Sequence, residues 1–164
     1  MSCPLFALRY TPAMRQLVLV LAASCIVAVS AAAQEPLLFT AQQLQEAQAK
    51  AKASIDPMFH RGVQRLTDSA TLIYRDGHSE AEAHTDRADF IVVREGQGTM
   101  LIGGTMVEGR ATAVGEIRGK AIEGGKRYPM AAGDSLYIPI NVPHQFLVEP
   151  GQHLVTVIVK TVSR

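Results

Sequence analysis

SEAEAHTDRADF, residues 79–90, alternates in the opposite sense to an ordinary half-buried strand. Such a strand turns apolar side chains to the core and polar ones to water, with a period of two. Here one face carries Glu80, Glu82 and His84, and the other offers a core only Ala81 and Ala83. Either the polar face looks at water over a thin alanine core, or it looks inward at something that needs carboxylate and imidazole. The rest of the chain decides between them.

The chain has 164 residues, enough for one domain with a real core. Residues 17–33, LVLVLAASCIVAVSAAA, are uncharged, follow Arg9 and Arg15, and end in three alanines before Gln34. A basic start, a short apolar middle and a small-residue end describe a secretory signal peptide, residues 1–33. The run is short for a membrane span. Met14 followed by Arg15 is an alternative start. Both cysteines, Cys3 and Cys25, lie in this segment, so the mature chain, Gln34 to Arg164, has none and must rely on its own core. The mature part holds all 15 acidic and 14 of the 16 basic residues, a net charge of −1. That balance points to neither nucleic acid nor a membrane surface as partner. The expected location is periplasmic or secreted.

Residues 40–53, TAQQLQEAQAKAKA, favour a helix with Thr40 as N-cap and a thin apolar face of Leu44, Ala47 and Ala51. Asp56-Pro57 ends that pattern. Residues 34–66 are therefore expected as a helical segment and linker, and 67–164 as a β domain. From Ala70 onward come short β-type runs, ATLIYR (70–75), EAEAH (80–84), DFIVVRE (89–95), GTMLIG (98–103), DSLYIPI (134–140), HQFLV (144–148) and HLVTVIVK (153–160), separated by Gly, Asp, Asn or Pro turns. Regular short strands with no helices between them predict an all-β sandwich or barrel. Residues 103–128 interrupt the rhythm with seven glycines and a basic cluster at Arg110, Arg118, Lys120, Lys126 and Arg127. This segment reads as one or two exposed hairpins, or as a lid over a binding site.

Two segments resemble the motifs of the cupin superfamily. GDSLYIPINVPHQFLV (133–148) is similar to the second cupin motif through Gly133, Pro139 and His144, with Asn141 where glycine is usual. Asn is among the residues most tolerant of positive φ, so the turn survives. EAHTDRADFIVVREG (82–96) resembles the first motif, with Glu82 for its first His, His84 for its second, Asp89 for its Glu, and Gly96 in place. The resemblance spans roughly Ala70 to Val159. It implies an antiparallel jelly-roll barrel, a double-stranded β-helix, with Glu82, His84, Asp89 and His144 as ligands of a divalent metal in the barrel, Fe, Mn, Zn or Ni.

The residues agree with that placement. Glu82 and His84, two apart, share one strand face. Asp89 opens the next run after the turn TDRA (85–88), and a hairpin there would bring the two sides together. Asp89, Ile91 and Val93 share a face, with Asp89 at the mouth. His84-x-Asp86 also shares a face, so Asp86 is an alternative to Glu82. Imidazole and carboxylate suit borderline and hard divalent ions. The polar face is thus expected to look in. Tyr137 and Gln145 are candidates for substrate contact, His78 beside Gly77 reads as a turn residue, and His60 and His153 have no supporting context. The expected function is that of an exported single-domain metalloenzyme acting on a small molecule, by oxygenase, isomerase or lyase chemistry. A non-catalytic small-molecule-binding module is the alternative. The alanine face of 80–84 and the Ala/Gln helix are surfaces on which a homodimer could form.

Overall fold

A computed structural model describes residues 36–162. The expected signal peptide, with Cys3, Cys25 and Met14, lies outside the described residues. Helix α1 spans Ala41–Ala53. Thr40 caps it in a capping box, its side chain accepting from the Gln43 N–H while the Gln43 side chain accepts from the Thr40 N–H. No helix among the described residues is long and apolar enough to cross a membrane.

Twelve strands follow: β1 (Arg61–Arg65), β2 (Ala70–Arg75), β3 (Ala81–His84), β4 (Arg87–Ile102), β5 (Thr105–Val107), β6 (Arg110–Ala113), β7 (Glu116–Gly119), β8 (Ala121–Glu123), β9 (Lys126–Ala131), β10 (Ser135–Ile138), β11 (His144–Leu147) and β12 (Leu154–Val162). Every pairing is antiparallel. Ten strands link in the order β1-β2-β12-β4-β11-β3-β7-β6, with β9 and β10 also on β4, and β5 pairs with β8 apart from them. This is the expected all-β, jelly-roll barrel. Strand β1 falls inside the segment 34–66 and pairs along its whole length with β2.

Strand β4 is the seam. Its first half pairs with β10 and β12, its second with β9 and β11, so one strand serves both walls of the barrel. It passes from one to the other at Gly96, where φ is +77° and an added Cβ would lie 2.0 Å from the His153 carbonyl oxygen. Only glycine meets both demands.

The barrel interior is packed by Ile73, Ile91, Met100, Ile138, Phe146 and Leu154 with their neighbours. The outer face of β2 and β12 is apolar too. Leu72, Tyr74 and Val155 pack beneath Leu44, Ala47 and Ala51 of helix α1, which gives the thin helix face its partner. Gly62 makes this approach possible, since a Cβ there would collide with the Ala51 carbonyl.

Two expectations are corrected. The alanine face of β3 is not a free pairing surface: Ala81 and Ala83 are buried, and Ala81 packs against Leu101, Ile122 and Leu147, with Met106 alongside. The glycine-rich excursion supplies Ile122 and Met106 and covers this face with the β5–β8 pair. Nor do β3 and β4 form a hairpin across TDRA. Strand β3 pairs with β7 and β11, whereas the start of β4 pairs with β10 and β12. The turn crosses between walls, so His84 and Asp89 meet across the interior and not along a ladder.

Candidate metal centre

Strand period and register bring four side chains together. In the β3–β11 pair Glu82 stands opposite His144. His84 follows Glu82 by one strand period, and Asp89 enters from the opposite wall. Each of the four is buried, and each can offer one ligand atom such that all four atoms lie within 4.8 Å of one another. The alternative, Asp86, lies at the surface in a two-pronged pair with Arg87, at 3.0 Å for both contacts. The cluster therefore takes Glu82.

The His144 tautomer follows from its backbone partner. His144 Nδ1 lies 3.0 Å from the Val142 carbonyl, which can only accept, so Nδ1 carries a proton. Its Nε2 is buried and has no hydrogen-bond partner among the described residues, with Glu82 Oε1 and Asp89 Oδ2 each 3.5 Å away. His84 Nε2 lies 2.7 Å from Lys160 Nζ, and accepts from the ammonium in one tautomer and donates to the cluster's carboxylate in the other. Asp89 Oδ2 faces the same nitrogen at 3.1 Å. Lys160 Nζ also donates to Asp89 Oδ1 at 3.0 Å, so the ammonium bridges the imidazole and the carboxylate. Glu116 Oε1 stands 3.0 Å from His84 Nδ1, off the line of a hydrogen bond.

Charge is balanced by residues outside the two motif segments. Arg118 of β7 reaches Glu82 Oε2 at 2.9 Å and Glu116 at 3.4 Å. Arg75 of β2 is fully buried, its guanidinium carbon 3.7 Å from the centre of the Phe146 ring. Burial alone would raise the Glu82 and Asp89 carboxyls. The His144 contact and the Arg118 charge overturn that at Glu82, and His144, His84 and Lys160 do so at Asp89, so both sit far below the usual carboxylate range. Burial opposes the His144 imidazolium, but Asp89 and Glu82 outweigh it and hold its pKa up to about 9. Beside the cluster lies a cavity of about 190 Å³, reached by Glu82, Asp89, Glu116, Arg75, Arg118 and Lys160, with Val63, Ile73 and Ile158 along one wall.

The remaining candidates lie elsewhere. Tyr137 pairs in register with Phe90 and is mostly exposed, not at the cavity. Gln145 donates to the Ser79 carbonyl at 2.7 Å and is structural. His60 pairs with Asp76, His153 with Glu95, and His78 accepts from the Val148 N–H. Of the basic cluster in the excursion, only Arg118 turns to the site; Arg110, Lys120, Lys126 and Arg127 are exposed. The excursion is a wall of the site, not a lid, because β7 is paired to β3 along its length.

A buried set of two imidazoles and two carboxylates with their ligand atoms this close could hold a divalent metal. The orphaned His144 Nε2 fits such an ion, since it is oriented by a backbone carbonyl behind it.

No family model and no curated protein matches the chain. Solved structures do. A candidate sugar phosphate isomerase from Acidithiobacillus ferrooxidans aligns with TM-score 0.51 and 20% identity, over 75% of this chain and 73% of its own. The polyketide cyclase RemF of Streptomyces resistomycificus aligns with TM-score 0.47 and 18% identity, over 69% and 75%. A cupin-like protein of Thermotoga maritima aligns with TM-score 0.45 and 16% identity, over 62% and 68%. With its strand topology and its two motif segments, the chain has the cupin fold.

Proposed function

We propose that the chain is an exported, metal-dependent enzyme acting on a small molecule, with Glu82, His84, Asp89 and His144 holding one divalent ion, Fe, Mn, Zn or Ni. The observation that carries this is the buried convergence of four ligand atoms within 4.8 Å, one of them the orphaned His144 Nε2. Such an ion would supply Lewis-acid polarisation of a substrate oxygen. The protein's own part is to orient and to neutralise. Val142 fixes the His144 tautomer, Arg118 and Lys160 hold the two carboxylates ionised, and the aliphatic wall excludes water from one side of the cavity. Export rests on the leader-like composition of residues 1–33, and makes the periplasm or the exterior the place of action.

One observation favours a second reading, a metal-free binding module. Lys160 and Arg118 already pair with Asp89 and Glu82, so the carboxylates have cations without an ion. Metal analysis by mass spectrometry decides between the two. The protein is expressed with its own leader and purified without a histidine tag or chelator. Near-stoichiometric metal supports the enzyme reading. No metal as purified, and none taken up on titration, leaves the binding module.

A further inference from the structure

Arg75 is a guanidinium inside a barrel, and its surroundings do not satisfy it. Of its five N–H donors, one reaches Thr156 Oγ1 at a long 3.3 Å, and its buried Nε has no partner among the described residues. Leaving such a donor unmet costs about 1–3 kcal/mol, more for a charged group. Arg118 and the part-buried Arg61 border the same cavity, and both like charges oppose the Arg75 charge. Burial first, then these neighbours, pull its pKa down to about 10 against the pull of Glu82, so it stays charged at neutral pH. Three guanidiniums border one small cavity, and among the described residues only that of Arg118 has a carboxylate partner.

The charge count agrees. Glu82, Asp89 and Glu116 face Arg75, Arg118 and Lys160 around the cavity. These charges cancel, so a divalent ion would leave the space about two charges positive, with Arg61 adding to it. This step rests on the metal reading above; the unmet Nε of Arg75 does not. The volume, about 190 Å³, is below the 300–1,000 Å³ of ordinary ligand pockets. The ligand must be small. The Val63, Ile73 and Ile158 wall suits methylene groups better than a bare inorganic anion.

We propose that Arg75, with Arg118 beside it, binds the carboxylate of a small organic acid in this cavity, and that such an acid is the substrate class of the site. A guanidinium grips a carboxylate through two parallel N–H bonds, which sets orientation as well as charge.

The test is calorimetric titration of malonate into the Mn-loaded mature protein, with metal content measured on each sample. Wild type binds malonate, and more tightly than inorganic phosphate. Arg75→Met weakens malonate at least tenfold with metal content unchanged, and Arg75→Lys, which keeps charge but loses the fork, falls between. The proposal is overturned if metal-loaded wild type does not bind malonate, if phosphate binds more tightly, or if folded Arg75→Met binds malonate as wild type does, the metal alone then holding the acid. If no sample holds metal, the metal reading fails by itself. Malonate binding by the metal-free protein that is lost in Arg75→Met then still supports the subsite, and its absence overturns it.

Discussion

His144→Ala is the substitution that separates a metal site from a polar core. Without metal, His144 carries positive charge between two buried carboxylates, and removing one partner of a buried ionic group costs about 3–5 kcal/mol. Arg118 still pairs with Glu82 and Lys160 with Asp89, so the loss lies near the lower end, about 3 kcal/mol. That is within the stability of an ordinary domain, and the barrel stays folded. Metal linkage gives the second number. An ion at 100 times its Kd stabilises the native state by about 2.7 kcal/mol. For a domain of this size that raises Tm by roughly 10 °C. If the substitution weakens the site a hundredfold, the same metal concentration gives only about 0.4 kcal/mol, or roughly 2 °C. Thermal melts of both proteins with and without Mn read all of these values. A shift of about 10 °C retained in His144→Ala would refute the reasoning, because the ion would then bind elsewhere.

The other predictions rest on the same coordinates. Metal uptake releases a proton, because a ligand imidazole must be neutral while the His144 imidazolium persists to about pH 9; affinity therefore falls as pH falls, and titration in buffers of different ionisation enthalpy reads the proton. In the metal-free protein the raised His144 contributes stability that is complete below about pH 6.5 and lost as pH rises through about 9. The depressed Glu82 and Asp89 contribute stability that is present above about pH 5 and lost as pH falls through the acid range, so urea midpoints should peak between these limits. Gly96→Ala places a side chain at φ +77° and 2.0 Å from a carbonyl oxygen, and should cost more than about 2 kcal/mol; a loss under about 0.5 kcal/mol would show that the seam can move. Phe146→Ala empties a fully buried site under Arg75 and should cost about 3–5 kcal/mol in the same assay.

The opening puzzle, a strand that alternates the wrong way, is resolved by two coverings. The polar face of β3 looks inward, and Ala81 opposite it lies under the β5–β8 pair. The inward polar face was legible because the alternation and the motif spacing agreed. The cover was not, since it comes from a segment whose glycines and charges read as solvent-exposed. The β6 strand of that segment is exposed along its length, so the reading holds for one hairpin and fails for the rest. Asn141 is a case where a departure from motif was read on its physics: it takes the turn at φ +61°.

The cations around the site were hidden for a reason that local pattern cannot express. In HLVTVIVK the valines at 155, 157 and 159 look like the core face, and Thr156 and Lys160 like the wet one. The barrel inverts this. Val155 and Val157 face helix α1, whereas Leu154, Ile158 and Lys160 face in. Strand β2 behaves alike, with Leu72 and Tyr74 under the helix and Ile73 and Arg75 inside. Once a helix covers one wall, both faces of that wall are buried, and the more apolar face no longer marks the interior. A polar residue in phase with the less apolar face is then the signal of a site, and Arg75, Thr156 and Lys160 all carry it. Arg118 and Glu116 carry no such signal, because what turns them inward is the non-local pairing of β7 with β3. The four clustered residues announced themselves by spacing along the chain, whereas the charges that make their burial tolerable come from three other strands, β2, β7 and β12. A cluster of ionisable residues found by motif is therefore half a site. Its electrostatics are decided by whichever strands the topology lays beside it.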